Sequence, residues 1–512
     1  MQIILFSGSI YSTDVVTSTH TGANGGFAFP SVQNGDYTVK SKWNGVYTAV
    51  RSLRVQGSNP APILLQPATA ALPSTVHAGW NTSLGMINVA ELSNNSASDL
   101  LVSYVIRDRL GSTLKTGQLN LAAQNRKFDL IVSDFVPVNA YGTVEFDVTG
   151  AAADLFRCDV ANYRPAQSGS SREFDFAFSV PCQAPTVGES AVLTNRVFPG
   201  DVSFLRMVSN WLTLANLSNE DHSYTVRSYS ETGELVGTDA VDLGGYERRD
   251  IDLAQYSNFT LASIESDDVR APYLAVLNRY DNGLSNSRVL AFGSPAQDGD
   301  SETRCVPISN LINTSSYTEM GNFADGPTTV SAVLYTAAGS IADTGTISIP
   351  SYGVKHIEFA GQLPVGSAGS LCLSANVSRA LIFNQATYYF SAQHELTTAF
   401  LTTPNRNIGV SSVFGAKNFF FNTFNWLRLL NLSDDASSVE VTSDPDEAGE
   451  VISNYLLAPH QRIDIALHDS PFSRVLDTYG RFRVNGVVAA DLVRVIPNSG
   501  STDGVTFATS VR

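Results

Sequence analysis

Two short acidic segments are the strongest metal-binding candidates in this sequence. One is Gln297-Asp298-Gly299-Asp300 and the other is Asp444-Pro445-Asp446-Glu447. Calcium takes about six to eight oxygen ligands, and neither segment has the spacing of a helix–loop–helix calcium loop. We therefore expect solvated turns at both places, with calcium as the alternative ligand. The residues that would bind calcium are Asp298, Asp300, Asp444, Asp446 and Glu447.

The histidines are not spaced for metal or nucleophilic chemistry. The chain has seven histidines, and none forms a His-x-His or His-Glu-x-x-His pattern. A Gly-x-Ser-x-Gly turn and a glycine-rich phosphate loop are also missing from the sequence. An active site assembled from distant carboxylates would leave no such motif. We expect a protein without enzymatic activity and without a cofactor other than the calcium considered above.

Four cysteines are the remaining reactive groups, namely Cys158, Cys182, Cys305 and Cys372. They form no Cys-x-x-Cys motif and no zinc spacing with histidine. Buried thiols are one interpretation. The abundance of Asn, Ser and Thr beside few Lys and Met favours an exported protein and two disulfides, Cys158–Cys182 and Cys305–Cys372. Four cysteines allow three pairings, so the sequence leaves the connectivity open.

Charge and composition exclude several partners. The chain has 512 residues with 32 basic and 48 acidic side chains, a net charge of −16. Such a surface is repelled by phosphate backbones, so we expect no nucleic-acid partner. Charged residues make up only 16% of the chain, against about a quarter in typical soluble proteins. This composition favours β-structure with many turns, and no apolar run is long enough to span a membrane as a helix.

Self-comparison reveals four repeats of roughly 110 residues. Their common pattern is an apolar strand ending in Asn-Leu-Ser or a variant, a polar turn, and a second alternating strand. The aligned apolar positions are Leu92, Leu217, Phe323 and Leu432. A repeat of this length is a whole domain with a core of its own.

The agreement between repeats continues downstream. A basic residue leads into an acid-bearing strand, as in Arg126-Lys127-Phe128-Asp129, Arg249-Asp250, Lys355-His356-Ile357-Glu358 and Arg462-Ile463-Asp464. A late strand follows, as in Phe176-Ala177-Phe178, Leu290-Ala291-Phe292, Thr398-Ala399-Phe400 and Thr506-Phe507-Ala508. Alternation of polar and apolar residues, with turns about every ten residues, predicts about seven strands per repeat in an antiparallel two-sheet sandwich. The repeats resemble tandem immunoglobulin-like sandwiches of bacterial surface proteins.

The head of the chain has a different pattern. Asn24-Gly25-Gly26-Phe27 is followed by Gly35-Asp36-Tyr37, which opens another strand. This segment resembles the carboxypeptidase-regulatory-like, prealbumin-type sandwich family. The resemblance implies a small non-catalytic sandwich. Its first strand is abbreviated here, so the domain is either truncated or completed by a neighbouring chain.

The sequence thus predicts an all-β chain of tandem antiparallel β-sandwich domains, one small N-terminal sandwich plus four repeats. The expected boundaries are 1–66, 75–180, 181–300, 301–404 and 405–512. Trp211 and Trp426 hold the same position in two repeats, which favours packing inside the fold over an exposed sugar-binding platform.

These features favour a structural protein of the cell exterior, whose repeats act as rigid beads in a filament, sheath, stalk or surface layer. Its partners would be copies of itself or other surface proteins. The alternative is an adhesin or an array of carbohydrate-binding modules, with glycans as partners.

Overall fold

The computed structural model describes residues 2–7, 15–20, 29, 32–33, 35–43, 46–55, 75–94, 96, 98–123, 128–149, 156–166, 174–195, 208–253, 259–281, 291–299, 303–377, 379–390, 396–404, 408–414, 424–446, 449–469, 471–472, 481–497 and 504–510. The prediction of an all-β chain is confirmed, since strands dominate the described residues. The only helical segments among them are short 3-10 turns at Ser83–Gly85, Val132–Phe135 and Ala360–Gln362. The chain divides into two compact units, 1–73 and 74–512.

The N-terminal unit contains one antiparallel sheet in its described part. Its strands are β1 (Gln2–Ser7), β2 (Val15–His20), β3 (Gly35–Trp43) and β4 (Val46–Val55). They lie in the order β2-β1-β3-β4, with Leu5 and Val39 buried. The Asn24-Gly25-Gly26-Phe27 turn lies outside the described residues, and the prealbumin-type resemblance stays a prediction.

The first two repeats each have eight strands. Repeat 1 contains β5 (Thr75–Asn81), β6 (Ile87–Asn94), β7 (Leu100–Asp108), β8 (Thr113–Leu121), β9 (Phe128–Ile131), β10 (Tyr141–Thr149), β11 (Phe156–Pro165) and β12 (Phe174–Pro181). Repeat 2 contains β13 (Ser190–Asn195), β14 (Val208–Asn216), β15 (His222–Tyr229), β16 (Leu235–Leu243), β17 (Arg248–Asp252), β18 (Phe259–Ser266), β19 (Tyr273–Asp281) and β20 (Ala291–Pro295).

The last two repeats follow the same plan. Repeat 3 contains β21 (Arg304–Asn310), β22 (Thr314–Asn322), β23 (Thr328–Thr336), β24 (Ile341–Ile349), β25 (Val354–Ile357), β26 (Ser367–Ala375), β27 (Leu381–Phe390) and β28 (Leu396–Thr402). Repeat 4 contains β29 (Ile408–Phe414), β30 (Phe424–Leu430), β31 (Ser437–Asp446), β32 (Gly449–Leu457), β33 (Arg462–Ala466), β34 (Arg481–Pro497) and β35 (Gly504–Ser510).

All four repeats share one topology, which we describe with positions a to h in chain order. One antiparallel sheet has the order a-f-c-d and the other has the order h-g-b-e. In repeat 4 the single long strand β34 serves as both f and g, pairing with β29 and β31 by its first half and with β30 and β35 by its second. Repeats 1 to 3 therefore have one strand more than the predicted count of about seven, and repeat 4 has seven.

A buried asparagine at the end of strand b explains the recurring Asn-Leu-Ser motif. Its side-chain amide donates to the carbonyl four residues later and to carbonyls at or just after the end of strand d, which holds the b–c turn against the d–e turn. The residues are Asn94, Asn216, Asn322 and Asn431. Repeat 1 is thus shifted by three residues relative to the sequence alignment, because Asn94 and not Glu91 is equivalent to Asn216.

Candidate functional site at the junctions between repeats

The four repeats of the second unit form a closed ring. Strand h of each repeat contacts strand h of the next, in the series β12, β20, β28 and β35. Strand β35 of repeat 4 also contacts β12 of repeat 1, which closes the series. The late strands with their aromatic residues therefore meet at one central hub.

Apolar side chains from the first three repeats fill the described part of this hub. Phe178 of repeat 1 meets Tyr280 of repeat 2 edge to face, with ring centroids 6.2 Å apart. A side chain at Gly293 of repeat 2 would collide with Val180 of repeat 1. Ala386, Tyr388 and Leu401 of repeat 3 belong to the same buried cluster. Small residues on strands g and h let the sandwiches approach closely, so their outer faces become a second core.

Buried arginine–glutamate pairs cross two of the four junctions. Arg279 on strand g of repeat 2 donates from both terminal nitrogens to Glu319 on strand b of repeat 3, at 2.6 Å each. Arg494 on strand g of repeat 4 makes the same bidentate contact with Glu91 on strand b of repeat 1, at 2.8 and 2.6 Å. All four side chains are at most 3% exposed. Because planar two-point contacts of this kind fix geometry, these pairs set the register between neighbouring repeats.

Burial and charge act in opposite directions on these pairs. Burial alone would raise the pKa of Glu319, but the charge of Arg279 and its hydrogen bonds outweigh burial and hold that pKa below its ordinary value. Burial alone would lower the pKa of Arg279, and Glu319 reverses that effect too. Both partners are therefore ionised in the folded protein at neutral pH.

Two other arginines connect repeat 1 with repeat 2 and repeat 3 with repeat 4. Arg248 opens strand e of repeat 2 and donates from Nη1 to the carbonyls of Trp80 and Gly142 in repeat 1. Arg462 opens strand e of repeat 4 and donates from Nη1 to the carbonyls of Ile308 and Gly369 in repeat 3.

Each of these arginines is oriented by an aspartate on its own strand. The partners are Asp250 for Arg248 and Asp464 for Arg462. The sequence alignment matched Arg249 with Arg462, whereas the structural equivalent of Arg462 is Arg248. Arg249 is nearly half exposed, whereas the Arg248 side chain is 2% exposed.

The turn between strands c and d contacts the next repeat at three described junctions. Gly111, Gly233 and Gly339 all have φ between +83° and +87°, and a side chain there would run into the backbone of the following repeat. The nearest atoms are the carbonyl oxygens of Gly245, Ser351 and Pro459. The residue after each of these, namely Tyr246, Tyr352 and His460, lies shortly before strand e and also has positive φ.

Aromatic contacts accompany these turns. Tyr229 stacks on Tyr352 with centroids 4.4 Å apart, and Tyr335 stacks on His460 at 4.1 Å. The Arg107 guanidinium lies 4.3 Å from the centre of the Tyr246 ring. Three junctions therefore use the same contact with different residues, as expected for repeats related by rotation within the ring.

The ionic contacts show that the ring is built from two similar halves. Repeats 1 and 3 supply the glutamates and repeats 2 and 4 supply the arginines. Both disulfides also lie in the odd repeats. Cys158 on β11 is bonded to Cys182 after β12, and Cys305 on β21 is bonded to Cys372 on β26. The structure thus contains the two disulfides that the sequence favoured.

The calcium candidates are not brought together in the described residues. Asp298 is exposed in the turn after β20, while Asp300 and Glu447 lie outside the described residues. Asp444 and Asp446 belong to the end of strand β31, so the sequence interpretation of a loop there was wrong for these two. No group of three or more His, Cys, Asp or Glu residues in the described part of the chain is placed to hold a metal. The structure has no helix long and apolar enough to cross a membrane in that part.

The two equivalent tryptophans differ from the expectation of buried packing. Trp211 is 38% exposed and Trp426 is 39% exposed. Both lie on strand b, on the face that points away from the core of their own sandwich, and Trp426 has His468 at its edge. Their repeated placement therefore leaves part of each ring accessible.

Sequence reasoning did not identify the junction residues. The signal that could have found them is the position three residues before the buried asparagine of strand b, which holds Glu91, Thr213, Glu319 and Arg428. Charged residues at that position stand among apolar neighbours, which indicates a buried ionic contact when the strand is covered on both faces.

Comparisons with known proteins add little to this geometry. No protein-family model matches the sequence, and no curated protein matches it. A solved structure titled as a tetra-tandem repeat in the extending region of a large adhesion protein aligns with 84% of this chain and 95% of its own length. The identity is 9% and the TM-score is 0.10.

Proposed function

We propose that this protein is a non-catalytic structural protein of the cell exterior, used as a rigid building block of a filament, sheath, stalk or surface layer. The observation that carries the proposal is the closure of four sandwiches into one compact unit, with β35 against β12. This arrangement replaces the expectation of four independent beads. The described repeats behave as one body because each has two neighbours.

Three features support a mechanical role for the ring. Its junctions use buried, oriented arginines, which favour one arrangement of the repeats over others. Its hub is packed with aromatic and small side chains, which resist sliding. Its two disulfides suit an oxidising compartment, which supports an extracellular location.

Adhesion to glycans is the second candidate, and the exposed tryptophans favour it. Trp211 and Trp426 are each more than a third exposed, at equivalent positions in the two halves of the ring. Aromatic rings with one accessible face stack on sugars. Two such sites on a rigid body would bind a repeating glycan with avidity.

Electron microscopy of material from the native source tests the structural role. We expect fibres or lattices whose repeat matches a compact ring of this size. Isolated particles under native conditions would contradict the proposal. A glycan-array screen, with and without calcium, tests the second candidate, and binding that is lost in Trp211→Ala and Trp426→Ala would support it.

A further inference from the structure

Strand d forms the outer edge of sheet a-f-c-d in every repeat. Among the described strands, β8, β16, β24 and β32 pair only with their strand c. The first three are exposed over most of their length, and on β32 the outer residues from Ile452 to Leu456 are exposed. An edge strand offers backbone N–H and C=O groups to another strand, and it pairs readily with a second molecule unless something prevents it.

A charged residue on the core side guards three of these four edges. Residues directly opposite one another share a face of the sheet, so a charge opposite a buried residue lies on the core side. A strand added at such an edge would have to cover the charge, which protects against edge pairing. The charged residues are Lys115 on β8, Asp239 on β16 and Asp343 on β24, opposite the buried Ile106, Val226 and Leu334.

The fourth edge, β32, differs from the others on both faces. Its residues 452–456 have no charged side chain, and Ser453, opposite fully buried Val441, replaces the Asp239 of repeat 2. On the outer side Ile452 is 53% exposed and Leu456 is 76% exposed. The positions equivalent to these two in the other repeats hold only polar residues, namely Thr116, Asn120, Thr238, Asp242, Thr344 and Ser348. Only β32 among these edges is therefore suited to cover by another strand.

The sequence of β32 is complementary to itself in one antiparallel register. When Asn454 of two copies lies on the twofold axis, Ile452 of each copy is opposite Leu456 of the other, and Ser453 is opposite Tyr455. Apolar residues then meet on the outer side, where cross-strand pairs of this kind stabilise a sheet. An axis at Ser453 or Tyr455 would instead place Asn454 opposite an apolar residue. The occupant that this edge fits is therefore a second copy of itself.

We propose that β32 pairs with β32 of a second copy of this chain, in the antiparallel register centred on Asn454, and forms a symmetric dimer. Sheet a-f-c-d of repeat 4 then continues across the axis into the same sheet of the second copy. Because both copies use the same surface, the contact closes on itself and stops at two chains. This inference goes beyond the proposed function, since the dimer forms whether or not dimers assemble further into fibres or lattices.

Sedimentation of the full chain over a concentration series tests this dimer. Ser453→Asp gives β32 the core-side charge that Asp239 provides in repeat 2. We expect it to weaken dimerisation by roughly tenfold or more, because the carboxylate would be covered without a partner. Gly345→Asp is the matched control, since Gly345 holds the equivalent core-side position on the guarded strand β24 and has open space around it. It should leave dimerisation unchanged. A monomeric unaltered protein, or equal loss in the two variants, would overturn the proposal.

A pair of charged variants tests the register on the exposed outer side of β32. Ile452→Lys with Leu456→Glu should still dimerise, because each lysine lies opposite a glutamate of the second copy. Ile452→Lys with Leu456→Lys should dimerise roughly tenfold more weakly than that variant, because like charges are then directly opposite. Equal dimerisation of the two variants, or the reverse order, would show that β32 binds a different edge and would overturn the proposal.

The effect of salt distinguishes this contact from an ionic one. The chain has a net charge of −16, so two copies repel each other at long range, whereas residues 452–456 are uncharged. Added salt screens that repulsion, so we expect it to strengthen dimerisation of the unaltered protein. Dimerisation that weakens with salt would indicate an ionic contact at another surface and would overturn the proposal.

Discussion

Arg494 of the fourth repeat and Glu91 of the first form a buried bidentate ion pair although 403 residues separate them in the chain. The pair Arg279–Glu319 repeats this geometry between the second and third repeats, only 40 residues apart. The same contact is therefore local at one junction and closes the ring at the other. A single chain thus uses this arginine–glutamate interface twice, once between repeats 2 and 3 and once between repeats 4 and 1, where it closes the ring.

Removal of one partner of the closing pair should be strongly destabilising. Glu91→Gln removes the carboxylate that makes the bidentate contact with the buried Arg494 guanidinium. Loss of one partner of a buried ion pair typically costs about 3–5 kcal/mol. Urea unfolding followed by circular dichroism measures this cost. Glu319→Gln should cost a similar amount because its pair has the same burial.

Glu265→Gln is the control for this prediction. Glu265 pairs with Arg227, and their side chains are 45% and 35% exposed. An exposed pair contributes at most about 1 kcal/mol. A Glu91→Gln variant no less stable than Glu265→Gln would contradict a closing role for the pair.

The sequence predicted the sandwiches better than their arrangement. In a strand such as β7, polar and apolar residues alternate because one face is buried in its own sandwich. This signal depends only on neighbouring residues in the sequence. The outer face of strand β6 is buried as well, against repeat 4, which lies far away in the chain. The sequence of β6 therefore looks like that of any buried strand and does not indicate which repeat covers it. Glu91 was treated as part of the repeat signature because nothing near it in the sequence supplies its partner.

Alignment errors of one to three residues also concealed the junctions. Arg248 and Arg462 become equivalent only when their carbonyl acceptors are known, and the adjacent Arg249 offered an equally good match in sequence. The motif at Asn216 could be recognised because its hydrogen bonds stay within four residues on one side. Contacts within a turn were thus predictable, and contacts between repeats were not.

The c–d turns should be sensitive to a single added methyl group. Gly339 has φ of +87°, and a side chain there would run into the Pro459 carbonyl of repeat 4. Gly366 has φ of +83° with open space around it. Gly366→Ala should therefore cost only the backbone strain, about 1–2 kcal/mol. Gly339→Ala should lower the melting temperature further because repeats 3 and 4 must separate there, and equal effects would contradict the contact.

The two disulfides should contribute unequally to stability. Cys305 and Cys372 are 67 residues apart, whereas Cys158 and Cys182 are 24 apart. Because a disulfide restricts the unfolded chain, it should add about 4 kcal/mol to the free energy of unfolding for the longer loop and about 3 kcal/mol for the shorter. Cys305 and Cys372 also pack against Leu430 and Ala489 of repeat 4. Paired Cys→Ala variants, compared by urea unfolding, should therefore rank the Cys305–Cys372 bond as the more important, and the reverse order would contradict this.

Two buried histidines should make the ring less stable in mild acid. Burial lowers the pKa of His77 to about 4, helped by the charge of Arg107. Burial also lowers the pKa of His356 to about 4, where Glu319 opposes the change and Arg279 adds to it. Between the ordinary pKa of 6.5 and this value the unfolded chain binds protons that the folded protein does not, so stability falls as pH falls.

Each histidine should account for a loss of about 3 kcal/mol between pH 6.5 and pH 4. Below about pH 4.5 the buried Glu319 adds to the loss, because its pKa is lowered by folding and protonation then favours the unfolded chain. Urea midpoints at pH 7 and pH 5 measure the histidine contribution before Glu319 titrates. In His77→Gln the difference between the two midpoints should shrink, since the unfolded chain then has one group fewer to protonate in this range. An unchanged difference would show that His77 is protonated in the folded ring.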